Sequence, residues 1–117
     1  MGLSTHVLDT MHGTPAAGMA VELYTTAGGT AALVNRFVLN ADGRNPDGLL
    51  FDNASIQRGT YRLMFDVAAY FKARGVALPE PPFLDRVTLD FGIAQTEQHY
   101  HVPLLVSPWS YSTYRGS

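Results

Sequence analysis

Four histidines, seven arginines and an aromatic, hydroxyl-rich tail are what this 117-residue chain offers to chemistry, because it has no cysteine. Without thiols there is no disulfide, no Cys-ligated zinc, no thiol nucleophile and no redox dithiol. His6 lies in Leu3-Ser4-Thr5-His6-Val7-Leu8-Asp9 and, by period two, shares a face with Ser4 and Leu8. Taken alone, a strand histidine of this kind reads as a half-buried scaffold residue. His99 and His101 are two residues apart, so both imidazoles point to one face of one strand. That spacing could hold two metal ligands, but catalytic zinc takes three from the protein, and the third would have to be His6, His12 or an acid. No metal and no cofactor is expected. Arg44 closes the turn Asn40-Ala41-Asp42-Gly43-Arg44 and is thereby held in a definite direction. It reads either as a solvated loop cation or as a paired-donor clamp for an anion or carbonyl oxygen.

Other constellations are missing. No Gly-rich phosphate loop precedes a helix, no nucleophile elbow is present, and no carboxylate pair can be placed. Asp9, Asp42, Asp66 and Asp90 fall at turns, caps or strand faces, where structural roles suffice. A catalyst built from this set would use His, Arg, Tyr and Ser, which suits water activation and oxyanion stabilisation. The last ten residues, Pro108-Trp109-Ser110-Tyr111-Ser112-Thr113-Tyr114-Arg115-Gly116-Ser117, place large aromatics beside hydroxyls, a guanidinium and a carboxylate. Aromatics of that size are costly to leave in water, so the tail is expected to dock. Docking would gather Tyr114, Arg115 and Ser117 in one place.

The elements that must position these residues are strands. Val87, Leu89, Phe91 and Ile93 alternate with polar neighbours, as do Tyr61, Leu63, Phe65 and Val67. Val21 to Thr25, Leu33 to Leu39, Leu3 to Asp9 and Tyr100 to Val106 read the same way, the last facing away from His101, Pro103 and Leu105. Turn clusters separate them at Gly13-Thr14-Pro15, Ala27 to Thr30, Asn40 to Gly43 and Asn45-Pro46-Asp47-Gly48. One short helix is predicted, capped by Asp66, carrying Val67, Tyr70, Phe71 and Arg74, and ended by Gly75 at C′. Leu78-Pro79-Glu80-Pro81-Pro82 is a connector. Seven to eight short strands and one short helix make an all-β sandwich, and the length fits a single domain over residues 1–117.

Net charge near −2 and scattered arginines argue against a nucleic-acid or anionic-membrane surface. With only 15% charged residues, part of the surface is expected to be apolar and buried against further copies of the chain. No apolar run approaches membrane-spanning length. The start, Met1 to His6, lacks a basic region followed by an apolar one, so a cytoplasmic location is the expectation; a leader already cleaved would make it periplasmic.

Four segments together resemble one family, the transthyretin-like 5-hydroxyisourate hydrolases. Leu3 to Thr10 running on to Gly13-Thr14-Pro15-Ala16 is similar to the family's amino-terminal signature. Asn40 to Arg44 resembles its Asn-x-Asp-Gly-Arg turn, and His99-Tyr100-His101-Val102-Pro103-Leu104-Leu105 with Ser107-Pro108 its penultimate strand. Tyr114-Arg115-Gly116-Ser117 matches the tetrapeptide that separates the hydrolases from hormone-carrying transthyretins. The resemblance implies a transthyretin-type two-sheet sandwich, a homotetramer built as a dimer of dimers, and active sites at the dimer–dimer interface. It implies hydrolysis of 5-hydroxyisourate, from urate oxidation, to 2-oxo-4-hydroxy-4-carboxy-5-ureidoimidazoline. It implies catalytic roles for His6, Arg44, His101 and Ser117, with His6, Arg44 and Tyr114 binding substrate. His99 has no role in the motif. The continuation Asn45 to Gly48 and the lead-in Phe83-Leu84-Asp85-Arg86 depart from the family pattern and flank the implied site. The competing reading is a transthyretin-type carrier of small aromatic ligands without catalysis; a metal-dependent hydrolase using His6, His99 and His101 is the third.

Overall fold

The computed structural model describes residues 2–46 and 56–116; Asp47 and Gly48 of the last turn cluster, and Ser117, lie outside the described residues. The described residues form eight strands: β1 (Leu3–Asp9), β2 (Thr14–Pro15), β3 (Ala20–Thr25), β4 (Ala32–Val38), β5 (Gly59–Phe65), β6 (Val87–Ile93), β7 (Tyr100–Val106) and β8 (Tyr111–Thr113). They make two four-stranded sheets, ordered β2-β1-β7-β8 and β4-β3-β5-β6. Within the first sheet β1 and β7 run parallel, with Ser4 opposite His101 and His6 opposite Pro103.

Alternation places the core between the sheets. Leu3, Val7, Val102, Leu104 and Val106 of the first sheet meet Val21, Leu23, Leu63, Phe65, Val87 and Ile93 of the second, all buried. The complementary parity, Ser4, His6 and Leu8 with His101, Pro103 and Leu105, therefore covers the outer face of the first sheet. β4 is an edge strand and leaves Leu33, Val34 and Val38 exposed.

Helix α1 (Val67–Ala73) packs Val67, Ala68, Tyr70 and Phe71 inward. Val67 thus opens the helix rather than extending the preceding strand. Its C-terminus closes as expected, with Gly75 at φ +82° and its N–H donating to Lys72, while Val76 N–H donates to the Phe71 carbonyl. This paired arrangement satisfies two orphan carbonyls, and the positive φ is what calls for glycine. Asp66 stands at the N-cap but makes no side-chain capping bond.

Asp9 ties the helix to β1. Its carboxylate is fully buried, accepting bonds from Tyr70 Oη at 2.8 Å, His12 N–H at 3.0 Å and His12 Nδ1 at 2.6 Å. Burial pushes this carboxyl up, but the hydrogen bonds from His12 and Tyr70 together hold it below the ordinary carboxylate range. No helix among the described residues is long and apolar enough to cross a membrane.

Candidate active site

The outer face of the first sheet gathers the functional side chains into two adjacent rows. The turn Asn40–Arg44 is folded by the Asn40 side chain, whose Oδ1 accepts from the N–H groups of Asp42 and Arg44 at 2.9 and 3.1 Å. It docks on the free edge of β1, where Val7 N–H donates to the Gly43 carbonyl at 2.9 Å and His6 bridges Arg44. Gly43 has φ +72°, and a Cβ there would sit 2.6 Å from the Val7 carbonyl, so only glycine lets the turn approach this closely. Arg44 and His6 are direct neighbours on one face.

On the other side of β1, His6 lies opposite Pro103. Beyond β7, the pairing of Leu104 with Thr113 and the bridge of His101 with Gly116 put Tyr114 opposite Pro103. One row across the sheet therefore reads Arg44, His6, Pro103, Tyr114. The neighbouring row reads Ser4, His101, Gly116. Residues distant in sequence meet because parallel pairing of β1 with β7 sets His6 and His101 on adjoining strands and one face.

Both histidines are half-buried and titrate below the ordinary histidine value. For His6, burial is the main cause and the charge of Arg44 adds to it, against an opposing hydrogen bond to the Asp42 main chain and the Asp42 charge. For His101, burial leads, followed by the charges of Arg44, His6 and His99. Both rings are thus neutral at neutral pH and available as bases. Arg44 is exposed, and its planar guanidinium offers paired donors to oxygen atoms. Among the described residues no three His, Asp or Glu side chains gather in metal-ligating geometry.

The tail is docked, though not by its aromatics. Trp109, Tyr111 and Tyr114 are 58%, 46% and 61% exposed. What holds the tail is main chain: β8 pairs with β7, Gly116 N–H donates to the His101 carbonyl at 2.7 Å, and His101 N–H donates back at 3.3 Å. The expectation rested on side-chain burial, whereas an edge strand is anchored by its ladder and can leave its rings outside. Nor do Tyr114 and Arg115 converge. Arg115 turns to the opposite face, its guanidinium carbon 4.1 Å from the Tyr100 ring centroid, and donates to Gln98 Oε1 at 3.0 Å and the His99 carbonyl at 3.2 Å.

Residues 3–116 match the model of the HIUase/Transthyretin family. The chain belongs to this family. A 5-hydroxyisourate hydrolase of Deinococcus radiodurans is 55% identical over 116 residues, covering 99% of this chain and 96% of that protein. Among solved structures, an (S)-allantoin synthase superposes with a TM-score of 0.93 at 46% identity; it covers 99% of this chain, which spans only 43% of that one. A 5-hydroxyisourate hydrolase of Klebsiella pneumoniae superposes with a TM-score of 0.80 at 35% identity, over the whole of both chains. The two-sheet sandwich is the architecture of the family.

Three contacts around these histidines escaped the reading of the sequence. Ser4 hydrogen-bonds His101 and His99, Gly116 packs on the His101 ring, and Arg115 holds the segment carrying His99. Strand parity put Ser4 beside His6, and His99 beside His101. The signal lacking was the register of β1 against β7, which only the fold supplies.

Proposed function

We propose that the chain is a 5-hydroxyisourate hydrolase, opening its substrate with water to 2-oxo-4-hydroxy-4-carboxy-5-ureidoimidazoline, and that residues 1–117 make up one hydrolase domain. The observation that carries the reading is the single sheet face on which Arg44, His6 and His101 stand in adjacent rows. Hydrolysing a ring N–C(=O) bond needs a nucleophilic water near neutral pH and a donor for the charge that grows on oxygen. A neutral His101, with Nδ1 committed to Ser4, has Nε2 left to take a proton from water. His6 orients that water beside it. Arg44 holds the carbonyl oxygens of the urate-like ring and stabilises the tetrahedral oxyanion, and Tyr114 contacts the substrate at the far end of the row. Ser117, which follows the Gly116 that is bridged to His101, supplies a hydroxyl to orient a histidine or the water.

The working form is a homotetramer, a dimer of dimers, in which a facing copy covers this open sheet face. Supporting this are the exposed Tyr111 and Tyr114 rings and the half-exposed histidines, a surface that excludes water only when covered.

The test is to generate 5-hydroxyisourate from urate with urate oxidase and follow its ultraviolet decay. The protein accelerates that decay, and a chelator leaves the rate unchanged. Decay at the spontaneous rate would instead favour the carrier reading.

A further inference from the structure

Ser4 places its hydroxyl between two histidines. Its Oγ lies 2.8 Å from His101 Nδ1 and 2.9 Å from His99 Nε2, and the residue is 9% exposed. A hydroxyl has a single proton, so it can donate to only one of these nitrogens, and the other nitrogen must donate into it. The protonation of the two rings is therefore linked. When His101 donates through Nδ1, Ser4 donates to His99, and His101 Nε2 is left as a base. When His99 donates to Ser4, Ser4 donates to His101 Nδ1, and His101 Nε2 carries a proton it can give away.

We propose that Ser4 and His99 form a proton relay behind His101 that switches its Nε2 between base and acid. This rests on the hydrolase reading and deepens it. As water adds to the substrate carbonyl, its proton passes to His101 Nε2, the Nδ1 proton passes to Ser4 Oγ, and the Ser4 proton passes to His99 Nε2. His101 ends neutral and His99 carries the charge, away from the ring that Arg44 and His6 act upon. When the ring C–N bond breaks, the movements reverse: His101 Nε2 gives its proton to the departing nitrogen, and His99 returns one through Ser4.

Both ends of the relay are held by the tail. Gly116 lies against the His101 ring, where a Cβ would meet Cδ2 at 3.0 Å. Arg115, stacked on Tyr100, donates to the His99 carbonyl, and Tyr100 N–H is fixed to the Gly2 carbonyl at 2.8 Å. Arg115 is thus a positioning residue for His99. Among the described residues, the charged and titratable groups around the relay are His6 on β1, Arg44 on the docked turn and Arg115 of the tail, with His99 and His101 themselves on β7 and its approach.

The experiment compares the full chain with Ser4→Ala and with His99→Gln, which keeps an amide for Ser4 to bond but cannot take up a proton. The relay predicts a kcat loss of about tenfold or more in each with KM little changed. It also predicts that kcat in mixtures of light and heavy water is curved for wild type, several protons moving together, and linear for both variants. Curvature kept in either variant overturns the relay, even if the rate falls. If wild type does not accelerate 5-hydroxyisourate decay, the hydrolase reading fails separately, and nitrogen-15 titration of the histidines decides the linkage. His99 and His101 then titrate as a coupled pair in wild type and independently in Ser4→Ala; unchanged titrations would overturn it.

Discussion

Gly116→Ala is a sharp perturbation of the proposed site, because it adds one methyl group and removes nothing. A Cβ at this position would stand 3.0 Å from Cδ2 and 3.1 Å from Cβ of His101. That is tighter than ordinary carbon–carbon contact, so the ring or the tail must give by a few tenths of an ångström. The tail is the stiffer side, since two main-chain bonds join residue 116 to residue 101 and Arg115 is stacked on Tyr100. The imidazole therefore moves, pulling Nδ1 from Ser4 and Nε2 from the water it activates. A misplacement of about 1 Å can cost about 100-fold in rate, so a shift of a few tenths of an ångström should cost several-fold. We expect kcat/KM for 5-hydroxyisourate to fall about 3- to 10-fold in the ultraviolet decay assay, with circular dichroism unchanged. Wild-type kcat/KM in a folded Gly116→Ala protein would refute the argument that the tail positions His101.

Further expectations concern charge. His6 and His101 both titrate below the ordinary histidine value, so the bases are mostly neutral at pH 7, and kcat/KM should rise with pH along a limb whose midpoint lies below that value. Arg44→Ala removes a positive charge that depresses both, so the rising limb moves to higher pH while kcat drops about 10²–10³-fold; a limb that stays put would show that Arg44 does not act on these rings. Tyr70→Phe deletes a hydrogen bond to the buried Asp9 carboxylate and should cost about 1.5–3 kcal/mol at pH 7 in urea unfolding. Because that bond favours the ionised form and the folded carboxyl lies below 3.8, the stabilisation is complete above the unfolded value and is lost as pH falls through the folded one. The difference between Tyr70→Phe and wild type should thus shrink below about pH 4, and an equal deficit at both pH values would contradict the linkage.

The core strands were readable because they bury their apolar residues on one face, as in Val87, Leu89 and Ile93, and period-two alternation is visible without partners. Gly75 marked the helix end for an equally local reason. The outward parity of His6 and His101 was readable too, but their adjacency was not: it depends on β1 lying parallel to β7 in one register, a contact across about a hundred residues. The same distance hid Ser4 between the two histidines. The tail shows the opposite error. Its aromatics suggested burial, while the chain spends its main-chain bonds on docking and leaves the rings exposed.

The central claim is that His101 on this face takes the proton of the attacking water. The direct measurement is the decay of freshly generated 5-hydroxyisourate with His101→Asn beside wild type, each verified as folded and of the same oligomeric state. Wild type should accelerate the decay, and His101→Asn should lose about 10²–10⁴-fold of that acceleration. A folded His101→Asn protein turning over at the wild-type rate would contradict the account.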